Sequence, residues 1–150
     1  MRGIDILIQN RNYLSVLVSG LDEKQMSFIP EGFKTNILWN LGHILVTQQT
    51  LHYTLAAKRV QMPPPLRKFF QKDSSPKEWT KAPDTEHVKS LILELPKKLQ
   101  EEYNSGTFSE YQEYITETGF RLTSIEDAID FNNFHEGYHM GIIHSFIKML

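Results

Sequence analysis

At 150 residues, 40% hydrophobic and 23% charged, the chain has the size and composition of one ordinary globular domain, long enough to bury roughly 70% of the surface its unfolded form exposes; disordered, collagenous and low-complexity classes are excluded. With 16 basic against 18 acidic residues the formal charge is −2, which leaves no excess to draw the protein onto nucleic acid or anionic lipid. Cysteine is absent, so disulfides, thiolate nucleophiles and cysteine-containing metal sites are excluded, and any metal ion must be held by His, Asp or Glu.

In chain order, Ile4, Leu7, Ile8, Tyr13, Leu14, Leu17 and Val18 recur at spacings of three and four, predicting an amphipathic helix from Ile4 to Ser19 that Gly20 ends. Leu21 to Lys34, with Pro30 and Gly32, reads as a connection. Thr35 then caps a second helix expected to run to about Lys58. Its apolar residues cover more than one face, so it sits centrally or meets another subunit. Three prolines at 63 to 65 deny the next region a long helix, and residues 59 to 83 form a long crossover, with a short helix near Ser75 to Trp79 or a lid. Asp84 caps a third helix carrying Val88, Leu91, Ile92, Leu95 and Leu99, kinked at Pro96 and ending near Asn104 to Gly106. A short helix or irregular turn follows over Thr107 to Gly119. Thr123 and Glu126 spell a capping box, and a fourth helix runs to the C-terminus. No alternating strand pattern and no internal repeat is present. The expectation is a single all-α domain, a four-helix bundle with up-up-down-down order and a long crossover between helices two and three.

The last helix carries the chemistry. Ile125, Ala128, Asn132, His135, His139, Ile142, Phe146 and Met149 form one seam by spacing, apolar at both ends and polar in the middle. His135 and His139 stand about 40° apart around the helix and one turn along it, so both imidazoles can reach one cation. The alternative is a pair of packed, hydrogen-bonded core histidines, which would compete for partners. A third ligand must come from another helix, and His43, in the apolar stretch NILWNLGHILV, is the candidate. His52 lies half a turn from His43, His144 about 140° from His139, and His87 in the first turn of the third helix, where a solvated role is expected. Asn40 and Asn132 are candidates for orienting an imidazole or touching a substrate. Trp39 and Tyr138 can line a pocket or simply fill core.

His135-Glu136-Gly137-Tyr138-His139 also spells HExxH, the zinc-protease signature in which the glutamate serves a zinc-bound water as base. Only 11 residues follow His139, too few for another ligand-bearing helix, and no strand precedes the motif to receive a peptide. Glu136 stands about 100° from the ligand seam, where solvated surface charge is expected. Gly137 and Gly141 make a small-residue face suited to helix contact.

The N-I-L-W-N-L-G-H segment ending at His43, the long crossover, and F-H-E-G-Y-H-M-G around His135 and His139 together resemble the DinB-like (damage-inducible) superfamily, related to YfiT-like metal-dependent hydrolases and bacterial thiol transferases. The resemblance covers nearly the whole chain. It implies a four-helix bundle with a three-histidine site, usually holding zinc or nickel, and a homodimer. A metal-dependent enzyme is then expected, with His43, His135 and His139 on a divalent ion that activates water or a low-molecular-weight thiol, in a hydrolase or thiol S-transferase. Lacking cysteine, the chain would receive that thiol as a cosubstrate. The alternatives are a non-catalytic dimeric metal-binding stress-response protein and, more remotely, an HExxH zinc protease. The expected partner is a small molecule, with neither nucleic acid nor membrane. No stretch reaches 18 apolar residues, and Asp5 and Gln9 interrupt what would be a leader's apolar run, so a cytoplasmic location is expected.

Overall fold

The computed structural model describes residues 1–150 and is mostly helical. Helix α1 (Arg2–Val18) buries Ile4, Leu7, Leu14 and Val18, with Arg11 in the same row. The expected connection after it holds a five-residue helix, α2 (Glu23–Ser27), closed by a capping box. Asp22 accepts from the Gln25 N–H at 2.8 Å, and the Gln25 side chain accepts from the Asp22 N–H at 3.1 Å. One turn is too short to show a periodicity.

Helix α3 (Ile37–Gln49) begins one residue later than expected: Asn36, not Thr35, accepts the Trp39 N–H, at 2.7 Å. It also stops short of Lys58. The backbone widens into a π-turn over Thr50–Thr54 and reverses at Ala57, which holds the left-handed conformation (φ 54°). The region holds no long helix, as expected, but the triple proline starts a short one, α4 (Pro64–Phe70), because proline in a first turn lacks only an N–H that would have no partner there. Ser75 caps a single 3₁₀ turn, Pro76–Glu78. Helix α5 (Thr85–Asn104) is capped by Asp84 as expected and passes through Pro96 without interruption. The segment expected to be helical or irregular forms a small antiparallel hairpin, β1 (Tyr114–Ile115) and β2 (Arg121–Leu122), with strands too short for alternation to register. Helix α6 (Ile125–Ile147) is capped by Ser124, which accepts the Asp127 N–H at 3.1 Å. The reciprocal contact comes from Asp127, which accepts from the Thr123 N–H and hydroxyl at 2.8 Å, while Glu126 accepts from Tyr103 instead.

Each of the four long helices packs on two others: α1 on α5 and α6, and α3 on the same pair. Asn133 donates to the Gly3 carbonyl, Arg11 meets Glu136 and Tyr13 meets His144, so α1 and α6 run in the same direction. Asn40 meets His139 while Leu51 packs with Ala128, so α3 runs against α6. Leu7 clusters with Leu99, and Lys89 reaches the Leu21 carbonyl, so α5 runs against α1. The long crossover therefore joins parallel helices, α3 and α5. The expected up-up-down-down order is corrected, because the Ser19–Asn36 link turns the chain back on itself and the sequence of directions is up-down-down-up. The main apolar core joins Leu14, Leu38, Leu41, Leu45, Ile92, Leu95 and Phe146 from all four. No helix is long and apolar enough to cross a membrane.

Candidate metal centre

The structure brings His43, His135 and His139 together, one ring nitrogen from each lying within 4.8 Å of the others. His43 comes from the middle of α3, and the other two from successive turns of α6. The Nε2 atoms of His135 and His139 are 3.2 Å apart. Two of the rings are held from behind. His43 Nδ1 is 2.7 Å from the Phe70 carbonyl, and His139 Nδ1 is 2.8 Å from Asn40 Oδ1. A backbone carbonyl can only accept, so His43 carries its proton on Nδ1 and leaves Nε2 as a lone pair. The Asn40 amide nitrogen is already spent on the Asn36 carbonyl at 2.7 Å, which turns Oδ1 towards His139 and assigns that ring the same tautomer. His135 Nδ1 is buried and has no partner.

The imidazoles are neutral. Burial pushes the His135 pKa down to about 4, helped by repulsion from His43 and Arg11. Burial and the two neighbouring rings push His139 to about 2. Burial also lowers His43, partly offset by its bond to Phe70. Three neutral rings with a nitrogen each at one point, two of them anchored from behind by an amide and a carbonyl, fit the donor set that a divalent ion requires. Trp39 stacks flat on His43, with ring centres 4.6 Å apart and planes 9° from parallel, and donates its indole N–H to Ser74 at 2.9 Å. Gly42 lets α4 close on α3: a Cβ there would stand 2.2 Å from the Phe70 ring. The crossover is thereby pressed close enough for its Phe70 carbonyl to seat His43.

Glu136 is not a surface charge. It is fully buried and takes Arg11 Nε at 2.8 Å and Arg11 Nη2 at 2.6 Å, with Asn132 Nδ2 at 2.7 Å. The buried line along α6 runs Ile125, Ile129, Asn132, Glu136, His139, Ile143 and Phe146, in alternate steps of four and three. The seam expected from the sequence is displaced from it, which placed Glu136 outside and His135 at the centre. His135 instead occupies the edge of the buried line, beside an opening. Asn132, expected near an imidazole or substrate, serves Glu136. The signal that was missed is Arg11, which stands in the apolar row of α1; a cation there requires a buried carboxylate. With both carboxylate oxygens of Glu136 bonded to Arg11 in the core, the protease-type role for HExxH has no free base.

The other histidines stay apart from the cluster. His52 is completely buried, its pKa pushed down to about 3 by burial; His87 is exposed in the first turn of α5; His144 meets the Tyr13 hydroxyl. Gly137 and Gly141 have no neighbour from the rest of this chain within 4 Å of a Cβ position, so the small-residue face makes no helix contact within it. A cavity of about 780 Å³ opens beside the three histidines. Its wall includes Val46, Leu51, Leu55, Phe131, Phe134 and Tyr138, with Arg67, Lys72 and Glu117 as its charged members.

The fold and site define a helical protein with a three-histidine group that can bind a metal ion at the wall of an accessible cavity. The model of the DinB superfamily matches residues 6–143, and the chain belongs to that superfamily. No curated protein matches it.

Proposed function

We propose that this protein is a metal-dependent enzyme built on a four-helix bundle, in which His43, His135 and His139 hold one divalent ion, zinc or nickel, facing a small-molecule substrate in the adjoining cavity. The observation that carries this reading is the anchoring of two of the three rings from behind, by Phe70 and Asn40, on the side away from the shared point. Three imidazoles without a thiolate or carboxylate suit zinc or nickel and leave positions free. When bound, such an ion lowers the pKa of a water or thiol at its open position. The chain's own contribution is to fix the tautomers of His43 and His139, to keep all three rings neutral by burial, and to shield them with Trp39.

The cavity offers no buried carboxylate to act as base: Glu136 is held by Arg11 in the core, and Glu117 stands in solvent beside Lys72. This favours a low-molecular-weight thiol over water, because its S–H, with a pKa of about 8.5 against about 15.7 for water, is acidic enough to give up its proton to solvent without a base beside it. Thiol transfer therefore ranks above hydrolysis. Zinc titration of protein purified without a nickel column tests it. The expected result is roughly one ion per chain, lost in His135→Ala, with the fold surviving chelation. Binding below roughly 0.2 ion per chain overturns the metal reading. Unfolding on chelation would instead assign the ion a bracing role between α3 and α6.

A further inference from the structure

The wall of the same cavity carries a cation that nothing in the chain neutralises. Arg67, on α4, lines the cavity, and its Nε is buried without a hydrogen-bond partner. The ion pairs of the chain join Arg11 to Glu136, Lys72 to Glu117, Lys89 to Glu86 and Arg121 to Glu113, and none includes Arg67. The carboxylate on that wall, Glu117, stands in solvent beside Lys72 and makes no ion pair with Arg67. With Nε closed in, the remaining N–H groups of Arg67 are the ones left for a partner, and a guanidinium on a cavity wall with no anion of its own is a place for an anion brought by a ligand. It is also the side chain whose planar fork matches a carboxylate in two parallel bonds.

We propose that Arg67 is the anion-binding residue of this cavity, and that the ligand is a small organic acid whose carboxylate meets Arg67 while its apolar part lies against Leu55, Phe131 and Tyr138. This rests on the proposed function and gives its substrate a chemical class. A carboxylic acid suits the wall better than a phosphate, because the cavity offers a single unpaired cation beside a largely apolar surface, too little to replace the hydration of a multiply charged group. Arg67 stands on the crossover helix whose last residue, Phe70, seats His43, so ligand recognition and the metal centre share one short element.

The test compares 3-phenylpropionate with its neutral amide, 3-phenylpropanamide, at pH 7.5, on wild type, Arg67→Gln and Arg67→Lys. Binding is followed by NMR through the backbone N–H signals of the cavity wall, those of Leu55 and Phe131 above all, which all three proteins share, with the protein first chelated and then zinc-loaded. Wild type is expected to prefer the acid by roughly 10-fold or more, the range of a charge-assisted bond. Arg67→Gln should lose that preference while binding the amide as wild type does, and Arg67→Lys should keep part of it. No acid-dependent shift, an unchanged preference in Arg67→Gln, or tighter binding of inorganic phosphate than of the acid would overturn the proposal. The chelated arm reads Arg67 without any ion, so a failure of zinc binding and a failure of anion binding are seen separately.

Discussion

Replacing Glu136 by Gln separates a buried structural charge from a catalytic base. In the native chain the carboxylate receives three hydrogen bonds of 2.6 to 2.8 Å from Arg11 and Asn132, and both members of the ion pair are fully shielded from water. Glutamine keeps the shape but removes the charge, and it turns an N–H₂ group towards a guanidinium N–H. Breaking a buried pair from one side costs about 3–5 kcal/mol, and because the amide still accepts one bond the expected loss is about 3 kcal/mol. For a chain of this length that lowers Tm by roughly 6–12 °C. Equilibrium urea unfolding at neutral pH measures it directly, as a lower midpoint at unchanged slope. The double variant Arg11→Met/Glu136→Leu, which removes both charges, should lose less than the single one. A loss below about 1 kcal/mol in Glu136→Gln would mean that the carboxylate is solvated rather than held in the core by Arg11, and would refute a buried line on α6 that passes through Glu136.

Three other outcomes follow from the same structure. Asn40→Ala removes the acceptor behind His139, and zinc affinity measured by competition with a chelating dye should fall about 10- to 100-fold with little change in fold; an unchanged affinity would show that His139 needs no support. Gly42→Ala places a methyl group inside the Phe70 ring, so it should cost about 1–3 kcal/mol in urea unfolding and weaken zinc binding as Phe70 withdraws from His43. The third concerns pH. His52, His135 and His139 titrate at about 3, about 4 and about 2 in the folded chain, against about 6.5 when unfolded. The unfolded chain therefore binds more protons below that value. Stability of the chelated protein should be full above about pH 6.5 and fall as pH drops towards 4, by up to roughly 1.4 kcal/mol per pH unit for each group. Urea midpoints that stay level between about pH 7 and 5 would contradict the neutral, buried state of these rings.

Much of the candidate site was legible because its parts sit on helices, where spacing translates into direction. His135 and His139, four apart, and His43, deep in an apolar helix, are what a period of 3.6 residues can bring out. Asn40, three residues before His43, was found by the same rule although it serves His139 on the opposite helix. What escaped was angular position and connection. The seam on α6 was drawn through His135, when the buried line passes through Glu136, because a glutamate is ordinarily assigned to solvent unless its partner is already known. That partner, Arg11, is 125 residues away, and no local pattern links the two. Helix α4 and the hairpin were missed because elements of seven and two residues are fixed by what they pack on rather than by periodicity. The order of helix directions depended on whether a link folds back or crosses over, which is a property of its contacts.

The bond from His43 to the Phe70 carbonyl gives the connecting segment between α3 and α5 a duty beyond joining them. One wall of the histidine cluster hangs on a main-chain atom, so side-chain substitution at position 70 alters it only by moving the backbone, whereas a residue gained or dropped between Ala57 and Phe70 would shift the register of that carbonyl directly. Relatives that share the three imidazoles but differ in the span of this segment would be expected to grip their ion with different strength, making linker length a dial on the metal.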